Sequence, residues 1–251
     1  MRKIFFIIAL FPLLSCAKSN ENSIPEMAYA VENQNSTKAL DHQKWNTLLQ
    51  KYVTDKGNVD YKGFKKDAKA LQVYLDELTT NAPQKSWSRN AILAYWINTY
   101  NAFTVKLILD NYPVKSIKDI KDPWGKKNFT IGTKKYSLEE IEHEILRKMN
   151  EPRIHFAINC ASFSCPNLSN QAYTEAKLEI QLEAGAKAFV NDKTKNTISA
   201  NTVEISKIFD WFSGDFKTNG TIIDFLNKYS SIKINKSAKV KYKEYNWSLN
   251  D

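Results

Sequence analysis

Glycine, cysteine and histidine are scarce in this chain of 251 residues, which has seven, three and three of them. Glycine-rich loops form the tight turns that hold nucleotide phosphates, so this composition argues against a nucleotide site. The chain also contains no G-x-S-x-G and no H-E-x-x-H motif, which excludes the common signatures of α/β-hydrolases and zinc proteases. We therefore expect no cofactor and no bound metal.

Clustered positive charge is also missing. The formal net charge is +9, but the lysines are scattered and no arginine cluster or RNP-like run occurs. Proteins that bind nucleic acid concentrate lysine and arginine on one face, so we expect no nucleic-acid partner. A basic surface that faces anionic lipid or glycan is one reading of the charge, and simple solubility is the plainer one.

The N-terminus has the organisation of an export signal. Residues 1–16, MRKIFFIIALFPLLSC, combine a positive start, an apolar run and a small residue before Cys16. Leu13-Leu14-Ser15-Cys16 resembles the bacterial lipobox, which implies that Cys16 is lipidated and becomes the mature N-terminus. Cleavage elsewhere without a lipid is the alternative.

This organisation predicts three segments: a lipoprotein signal peptide (1–15), a lipidated N-terminus with a flexible tether (16–36), and one globular domain (37–251). We expect the domain to lie outside the cytoplasm, in the periplasm or on the cell surface of a bacterium. The membrane is then a partner through Cys16. In that compartment disulfides are allowed.

Residues 88–110, SRNAILAYWINTYNAFTVKLILD, predict a long helix with Ser88 as its N-cap. Its apolar residues surround the helix, which is typical of either a membrane span or the central helix of a domain. Lys106 alone would cost about 2.5 to 3.5 kcal/mol near the centre of a bilayer. We therefore interpret it as a buried central helix.

Asn98 and Asn101 lie within this helix and need hydrogen-bond partners when buried. They either tie neighbouring loops to the helix, or one of them lines a site.

The remaining hydrophobic patterns predict a helix-rich α+β single domain with a few short, mostly antiparallel strands. RIHFAIN (153–159) alternates as a strand would, with His155 on the face opposite to Ile154 and Phe156. The helices are expected at 38–53, 61–80, 138–149, 174–190, 208–212 and 221–229, and the hairpins at 129–136 and 197–205, with an edge strand at 240–245.

Cys160 and Cys165 are the cysteines that remain after Cys16, and four interpretations of them compete. They form a structural disulfide in an oxidising compartment. Alternatively, Cys160 is a nucleophile, or both bind a metal with His143 and His155, or both are inert buried thiols. The spacing of the four groups is not one that recurs in zinc sites, which weakens the metal interpretation.

A nucleophilic Cys160 needs a base to form a thiolate. His155 is badly placed on the predicted strand, so His143, from the preceding helix, is the expected base. Asn98, Asn101 or Glu142 would orient its second ring nitrogen. Glu142 falls on the apolar stripe of that helix and must be paired or hydrogen-bonded there.

The chain resembles the domain of unknown function 547 family. The resemblance rests on VDYKGF (59–64), YWINTYNAF (95–103), SLEEIEHEILR (137–147), RIHFAINCASFSCPNL (153–168) and ISKIFDWFSGDF (205–216). It implies a set of functional polar residues: Asn98, Tyr100, Asn101, Glu142, His143, Arg147, Arg153, His155, Cys160 and Cys165. We expect Tyr100, Arg147, Arg153 and His155 to bind the ligand.

Two functions follow. The first is a thiol-dependent hydrolase or acyl transferase that acts on an amide or ester bond in the cell envelope, by analogy with papain-like enzymes. The second is a non-catalytic binding or scaffold module with a structural Cys160–Cys165 disulfide. The envelope substrate or protein partner is left open by the sequence, and so is the question of whether the protein is an enzyme.

Overall fold

The computed structural model of the protein describes residues 24–29 and 38–251. The predicted signal peptide, Cys16 and most of the predicted tether lie outside these residues. Within the described ranges, no helix has both the length and the apolar character needed to cross a membrane.

In the part of the chain that the structure describes, three α-helices precede the central one. They are α1 (Gln43–Tyr52), α2 (Tyr61–Phe64) and α3 (Ala68–Thr80). The single helix predicted over 61–80 is interrupted by a 3₁₀ turn at Lys65–Asp67. α1 and α3 each pack one apolar face onto the domain core, as their amphipathic patterns predict.

The central helix α4 (Arg89–Asn111) is confirmed. Ser88 caps it, and its hydroxyl accepts a hydrogen bond from the backbone N–H of Ala91 at 3.1 Å. Every residue from 91 to 105 is buried, so α4 contacts protein on all sides. This is the arrangement expected for a helix without a polar face.

A short antiparallel hairpin and a mixed helix follow α4. The hairpin pairs β1 (Phe129–Ile131) with β2 (Lys134–Tyr136). Ser137 and Glu140 then form a capping box that starts α5 (Leu138–Glu140). The helical segment continues as a π-helical turn (Ile141–Leu146) and a 3₁₀ turn (Arg147–Met149), rather than as one regular α-helix.

The strand predicted at 153–159 is wrong, because Pro152–Phe156 forms a 3₁₀ helix. Pro152 occupies the first turn, where its missing N–H costs nothing, and the side chain of Glu151 caps the turn. Ile154, His155 and Phe156 are all buried, so the alternation of residue types does not mark two faces. His155 is therefore not held far from Cys160 on the opposite face of a strand.

The C-terminal part builds a second layer around a three-stranded sheet. A 3₁₀ turn (Glu175–Lys177) leads into α6 (Leu178–Asn191), and the sheet has the order β3 (Thr197–Ile198), β4 (Thr202–Ile205), β5 (Lys239–Tyr242). β3 and β4 pair antiparallel as predicted, whereas β5 pairs with β4 in parallel. The helices of this part are α7 (Ile208–Trp211), α8 (Ser213–Phe216) and α9 (Ile222–Tyr229).

The core consists of two hydrophobic clusters. The larger surrounds α4 and includes Trp96 and Tyr100, whereas the smaller lies between α6, α9 and the sheet and is rich in phenylalanine. The overall fold is thus the predicted helix-rich α+β domain. The candidate site described next takes residues from both clusters.

Candidate functional site

A cleft of about 400 Å³ opens between the two hydrophobic clusters. This volume lies within the range of small-ligand sites. One wall is aromatic and the other carries titratable side chains from α5 and from the turn at Pro152–Phe156. Five aromatic residues form the first wall: Trp124, Trp211, Phe212, Tyr245 and Trp247.

The aromatic wall is a packed surface of rings. Trp211 stacks against Trp247 with ring centroids 5.8 Å apart, and Tyr245 contacts Trp247 at 4.5 Å. Trp211 is 46% exposed, although it is a large apolar side chain. Exposed, grouped aromatic rings next to polar groups are typical of binding surfaces.

The charged residues that line the cleft are all acidic: Asp122, Glu139 and Glu142. In a chain with net charge +9, this is a local reversal of sign. Lys118 and Arg147 contact the ring faces of Trp247 and Phe212 but are not among the lining residues. The cleft therefore favours a ligand that is neutral or positively charged.

Glu142 is the buried carboxyl group of the cleft. Its Oε2 accepts a hydrogen bond from the Tyr100 hydroxyl at 3.1 Å, and no ion pair with it is present among the described residues. Burial raises the pKa of Glu142 to about 7, although Tyr100 and the charge of Arg147 oppose the shift. Near neutral pH this group can both take up and release a proton, a property concentrated at functional sites.

His143 lies beside Glu142 and is held by Arg147. Arg147 Nη1 donates to His143 Nδ1 at 2.8 Å, so the neutral imidazole carries its proton on Nε2. Burial and then the Arg147 charge lower the pKa of His143, which keeps the ring neutral at pH 7. His143 is thus a hydrogen-bonding group of the cleft with a fixed tautomer.

A layer of ion pairs supports this wall. The Asp215 carboxylate accepts two hydrogen bonds from Arg147, at 2.7 and 2.9 Å, and one from His155 Nε2 at 2.7 Å. Burial alone would raise the pKa of Asp215, but Arg147 and His155 outweigh it and hold that pKa well below its usual range. His155 also stacks on Phe212 with ring centroids 4.1 Å apart.

The π-helical turn explains why two consecutive residues both line the cleft. The backbone N–H of Arg147 bonds to the carbonyl of Glu142, five residues earlier, which makes the turn wider than an α-helical one. Glu142 and His143 are consequently turned by a smaller angle from each other than in an α-helix. Both side chains therefore face the same cleft.

Cys160 and Cys165 form a disulfide, and both cysteines line the cleft. This is the first of the four interpretations of the cysteine pair and belongs to the binding-module alternative. In this state Cys160 has no thiol, so it cannot act as the predicted nucleophile and His143 has no thiol proton to accept. A nucleophilic Cys160 stays a prediction for the reduced form.

Asn98 and Asn101 tie loops to α4 and do not orient His143. The amide of Asn98 bonds to both backbone groups of Tyr173, at 2.7 and 3.0 Å. The amide of Asn101 bonds to the carbonyl of Ala157 and the N–H of Asn159, at 2.9 and 2.8 Å. Both amides therefore match the first alternative, in which they tie neighbouring loops to the helix, and these contacts give no support to the predicted catalytic role.

The other predicted binding residues divide between the cleft and its surroundings. Tyr100 and His155 line the cleft, whereas Arg147 lies behind it with Asp215. Arg153 faces elsewhere, because its guanidinium pairs with Glu151 and Glu179 at 2.7 Å each. Its predicted role in binding is therefore not supported by its position.

Sequence reasoning missed Asp215 and most of the aromatic wall. Trp211 and Asp215 belong to FDWFSGDF, where a carboxylate stands among apolar residues in the same way as Glu142 does. That pattern was available as a signal. Trp124 and Trp247 had none, since they lie in irregular segments that only the fold brings to the cleft.

Metal binding finds no support in the geometry. Among residues 24–29 and 38–251, no three His, Cys, Asp or Glu side chains come together in a way that could hold a metal ion.

Fold and cleft define a helix-rich α+β domain with an acidic, aromatic cleft that contains a disulfide. Residues 84–190, less than half of the chain, match the model of the family described as "Protein of unknown function, DUF547", in agreement with the resemblance seen in the sequence. It covers α4, α5, Glu142, His143 and the disulfide, whereas Asp215 and four residues of the aromatic wall lie beyond it. No curated protein and no solved structure matches the chain.

Proposed function

We propose that the protein is an extracytoplasmic binding module whose cleft takes a neutral or positively charged peptide segment of another envelope molecule. The observation that carries the proposal is the reversal of charge at an aromatic wall. Aromatic rings bury apolar side chains, and the three carboxyl groups favour lysine, arginine or an amino terminus. An anionic lipid, phosphate or nucleic acid would meet repulsion in the same place.

Two peptides that differ in one charge test the proposal. We expect acetyl-Phe-Lys-Phe-amide to change the tryptophan fluorescence of the protein and acetyl-Phe-Glu-Phe-amide to bind more weakly. Added salt should weaken binding of the lysine peptide, because screening acts on exposed charges. Equal affinity for both peptides, or tighter binding of the glutamate peptide, would contradict the proposal.

Matched variants locate the binding surface. Trp211→Ala removes an exposed ring of the wall and should weaken binding about thirtyfold, as for a residue that contributes about 2 kcal/mol. Phe163→Ala is the control, since Phe163 is similarly exposed but does not line the cleft. Its affinity should be unchanged.

A second pair of variants tests the charge. Glu139 and Glu144 are both exposed and both belong to the α5 segment, but only Glu139 lines the cleft. Glu139→Gln should weaken binding of the lysine peptide about threefold, the effect of one exposed charge. Glu144→Gln should not change it; equal effects of the two variants would place the peptide elsewhere.

Hydrolysis of an amide or ester is the second candidate function, and the raised pKa of Glu142 favours it. In this version Glu142 replaces the thiol chemistry and, when ionised, takes a proton from an attacking water molecule. Hydrolysis of p-nitrophenyl butyrate should then rise with pH through about 7, the pKa of Glu142. Glu142→Gln should abolish it and Glu144→Gln should not; no hydrolysis by the native protein would leave only the binding role.

The lipid anchor is also part of the proposal. Its support is the export-like N-terminus and the motif that ends at Cys16. We expect the full chain to partition with bacterial membranes and Cys16→Ser to release it, with the Cys16 lipid visible by mass spectrometry. A membrane-associated Cys16→Ser variant would contradict the anchor.

A further inference from the structure

The two cysteines of the disulfide differ in their exposure to solvent. Both cysteines line the cleft, yet Cys160 is only partly buried, whereas Cys165 is 3% exposed. A thiol that enters the cleft therefore reaches Cys160 first. Thiol–disulfide exchange depends on which sulfur is attacked and on how well the other sulfur leaves as a thiolate.

The sulfur that would leave has the shorter hydrogen bonds. Cys160 Sγ contacts Ser162 Oγ at 3.3 Å and the Tyr245 hydroxyl at 3.4 Å, and both distances exceed those at Cys165 Sγ. Cys165 Sγ accepts a hydrogen bond from the backbone N–H of Cys160 at 3.0 Å and from the Tyr245 hydroxyl at 3.2 Å. Two donors aimed at a sulfur stabilise its thiolate form. Burial raises the pKa of Tyr245, so the phenol keeps its proton at neutral pH and remains a donor.

We propose that the Cys160–Cys165 disulfide is redox-active and oxidises a dithiol carried by a neutral or cationic peptide bound in the cleft. The inference rests on the binding role proposed above and names its substrate class. Neither glutathione nor another anionic thiol fits the acidic lining. A peptide whose cysteines neighbour lysine or arginine does.

The exchange takes two steps. One substrate thiolate attacks Cys160 Sγ, a mixed disulfide forms, and the bond to Cys165 breaks with its electron pair on Cys165 Sγ. The second thiolate of the substrate then attacks the substrate sulfur of the mixed disulfide, and Cys160 leaves as a thiolate. The substrate becomes a disulfide, and the two protons it lost end on Cys160 and Cys165. The reverse steps pass the electron pair to another disulfide.

Single cysteine variants test the direction of attack. With cystamine as reagent, Cys165→Ser should form the mixed disulfide at Cys160 at least about tenfold faster than Cys160→Ser does at the buried Cys165. The increase in mass measures both rates. Equal rates, or a faster reaction at Cys165, would overturn the proposal.

The native protein provides a test that needs no cysteine variant. We expect dithiothreitol to open the disulfide without unfolding the domain, at a rate proportional to its concentration. Alkylation followed by mass spectrometry measures this rate. Opening that occurs only at the rate of global unfolding, independent of the thiol concentration, would show a purely structural disulfide.

Tyrosine variants test the leaving group. Tyr245→Phe removes one donor to Cys165 and should slow the opening about three- to tenfold, as for a lost hydrogen bond to a charged group. Tyr242→Phe, in β5, is the control and should leave the rate unchanged. An unchanged rate in Tyr245→Phe would exclude this role of the hydroxyl.

Three small thiols of different charge test the preference for a cationic substrate separately from the ability of the disulfide to exchange. Relative to their rates with oxidised dithiothreitol, cysteamine should open the disulfide fastest, 2-mercaptoethanol more slowly and 3-mercaptopropionate slowest. The reverse order would overturn the cationic substrate. Since acetyl-Phe-Lys-Phe-amide contains no thiol, its binding reports on the binding role alone: binding with an inert disulfide ends only the exchange proposal.

Discussion

Glu142 and Asp215 are acidic side chains on either side of Arg147, and their surroundings give them opposite properties. Asp215 receives three charged or polar hydrogen bonds, which lower its pKa well below the usual range. Glu142 receives one, from Tyr100, and burial raises its pKa to about 7. The guanidinium lies against one carboxylate and acts on the other only at a distance.

The comparison separates support from function. The Asp215 carboxylate, with all of its partners in place, holds α8 and the two 3₁₀ segments of Arg147 and His155 together, and its charge does not change near pH 7. A carboxyl group left with one neutral partner in a cleft is costly to ionise, and nothing in its surroundings removes that cost. We take the incompletely partnered group as the functional one for this reason.

The largest effect is expected from removal of the Asp215 carboxylate, which accepts hydrogen bonds from Arg147 and His155. Asp215→Asn leaves Arg147 and His155 without their anion and should lower the free energy of unfolding by about 3 kcal/mol, measured with urea at pH 7. Because the folded pKa of Asp215 is lowered, this difference should be constant above about pH 4 and shrink below it. Asp210→Asn, at an exposed position of α7, is the control and should change little. A difference that grows in acid would contradict the comparison.

The next effect has the opposite sign. The folded pKa of Glu142 exceeds that of an unfolded glutamate, about 4.3, so ionisation destabilises the fold as pH rises from about 4 to 7. Glu142→Gln should therefore match the native stability at pH 4 and exceed it by about 3 kcal/mol at pH 8. Urea unfolding across this range measures it. If Glu142→Gln is less stable than the native protein at pH 8, the raised pKa of Glu142 in the folded protein is contradicted.

The smallest expected effect increases the difference in pKa between Glu142 and Asp215. Tyr100→Phe removes the hydrogen bond that lowers the pKa of Glu142, so that pKa should rise by up to about one unit. In the Tyr100→Phe background, the advantage of Glu142→Gln should still begin near pH 4, but it should extend to a higher pH and become larger. Tyr52→Phe is a matched control, since its hydroxyl donates to the more exposed Asp67 at 2.7 Å. If Tyr52→Phe shifts the stability profile of Glu142→Gln by the same amount, the effect of Tyr100→Phe is nonspecific.

The sequence predicted the frame of the domain well. α4, its Ser88 cap, the capping box of Ser137 and Glu140, and both hairpins follow from local patterns that residues a few positions apart determine. Failure came at 153–159, where Pro152 and the Glu151 cap start a 3₁₀ turn that an alternating pattern does not reveal. Because residues 154–156 are all buried, the alternation of residue types there does not distinguish an inner face from an outer one.

The site was predicted in part. Glu142, His143, Tyr100 and the cysteine pair do line one cleft. The wall formed by Trp124, Trp211 and Trp247 could not be derived, because these residues come from three segments far apart in the chain. Nor could the partner of Arg147, since the pairing with Asp215 joins residues 68 positions apart.

The π-helical turn makes the cleft dependent on the length of the chain between Ile141 and Leu146. A wide turn of this kind holds one residue more than the α-helix around it. Deletion of a single residue there would close the wide turn to an α-helical one. Glu142 and His143 would then diverge by the larger angle of an α-helix, and they would no longer both face the cleft. The segment should accept many substitutions at Glu144 but no change in residue number.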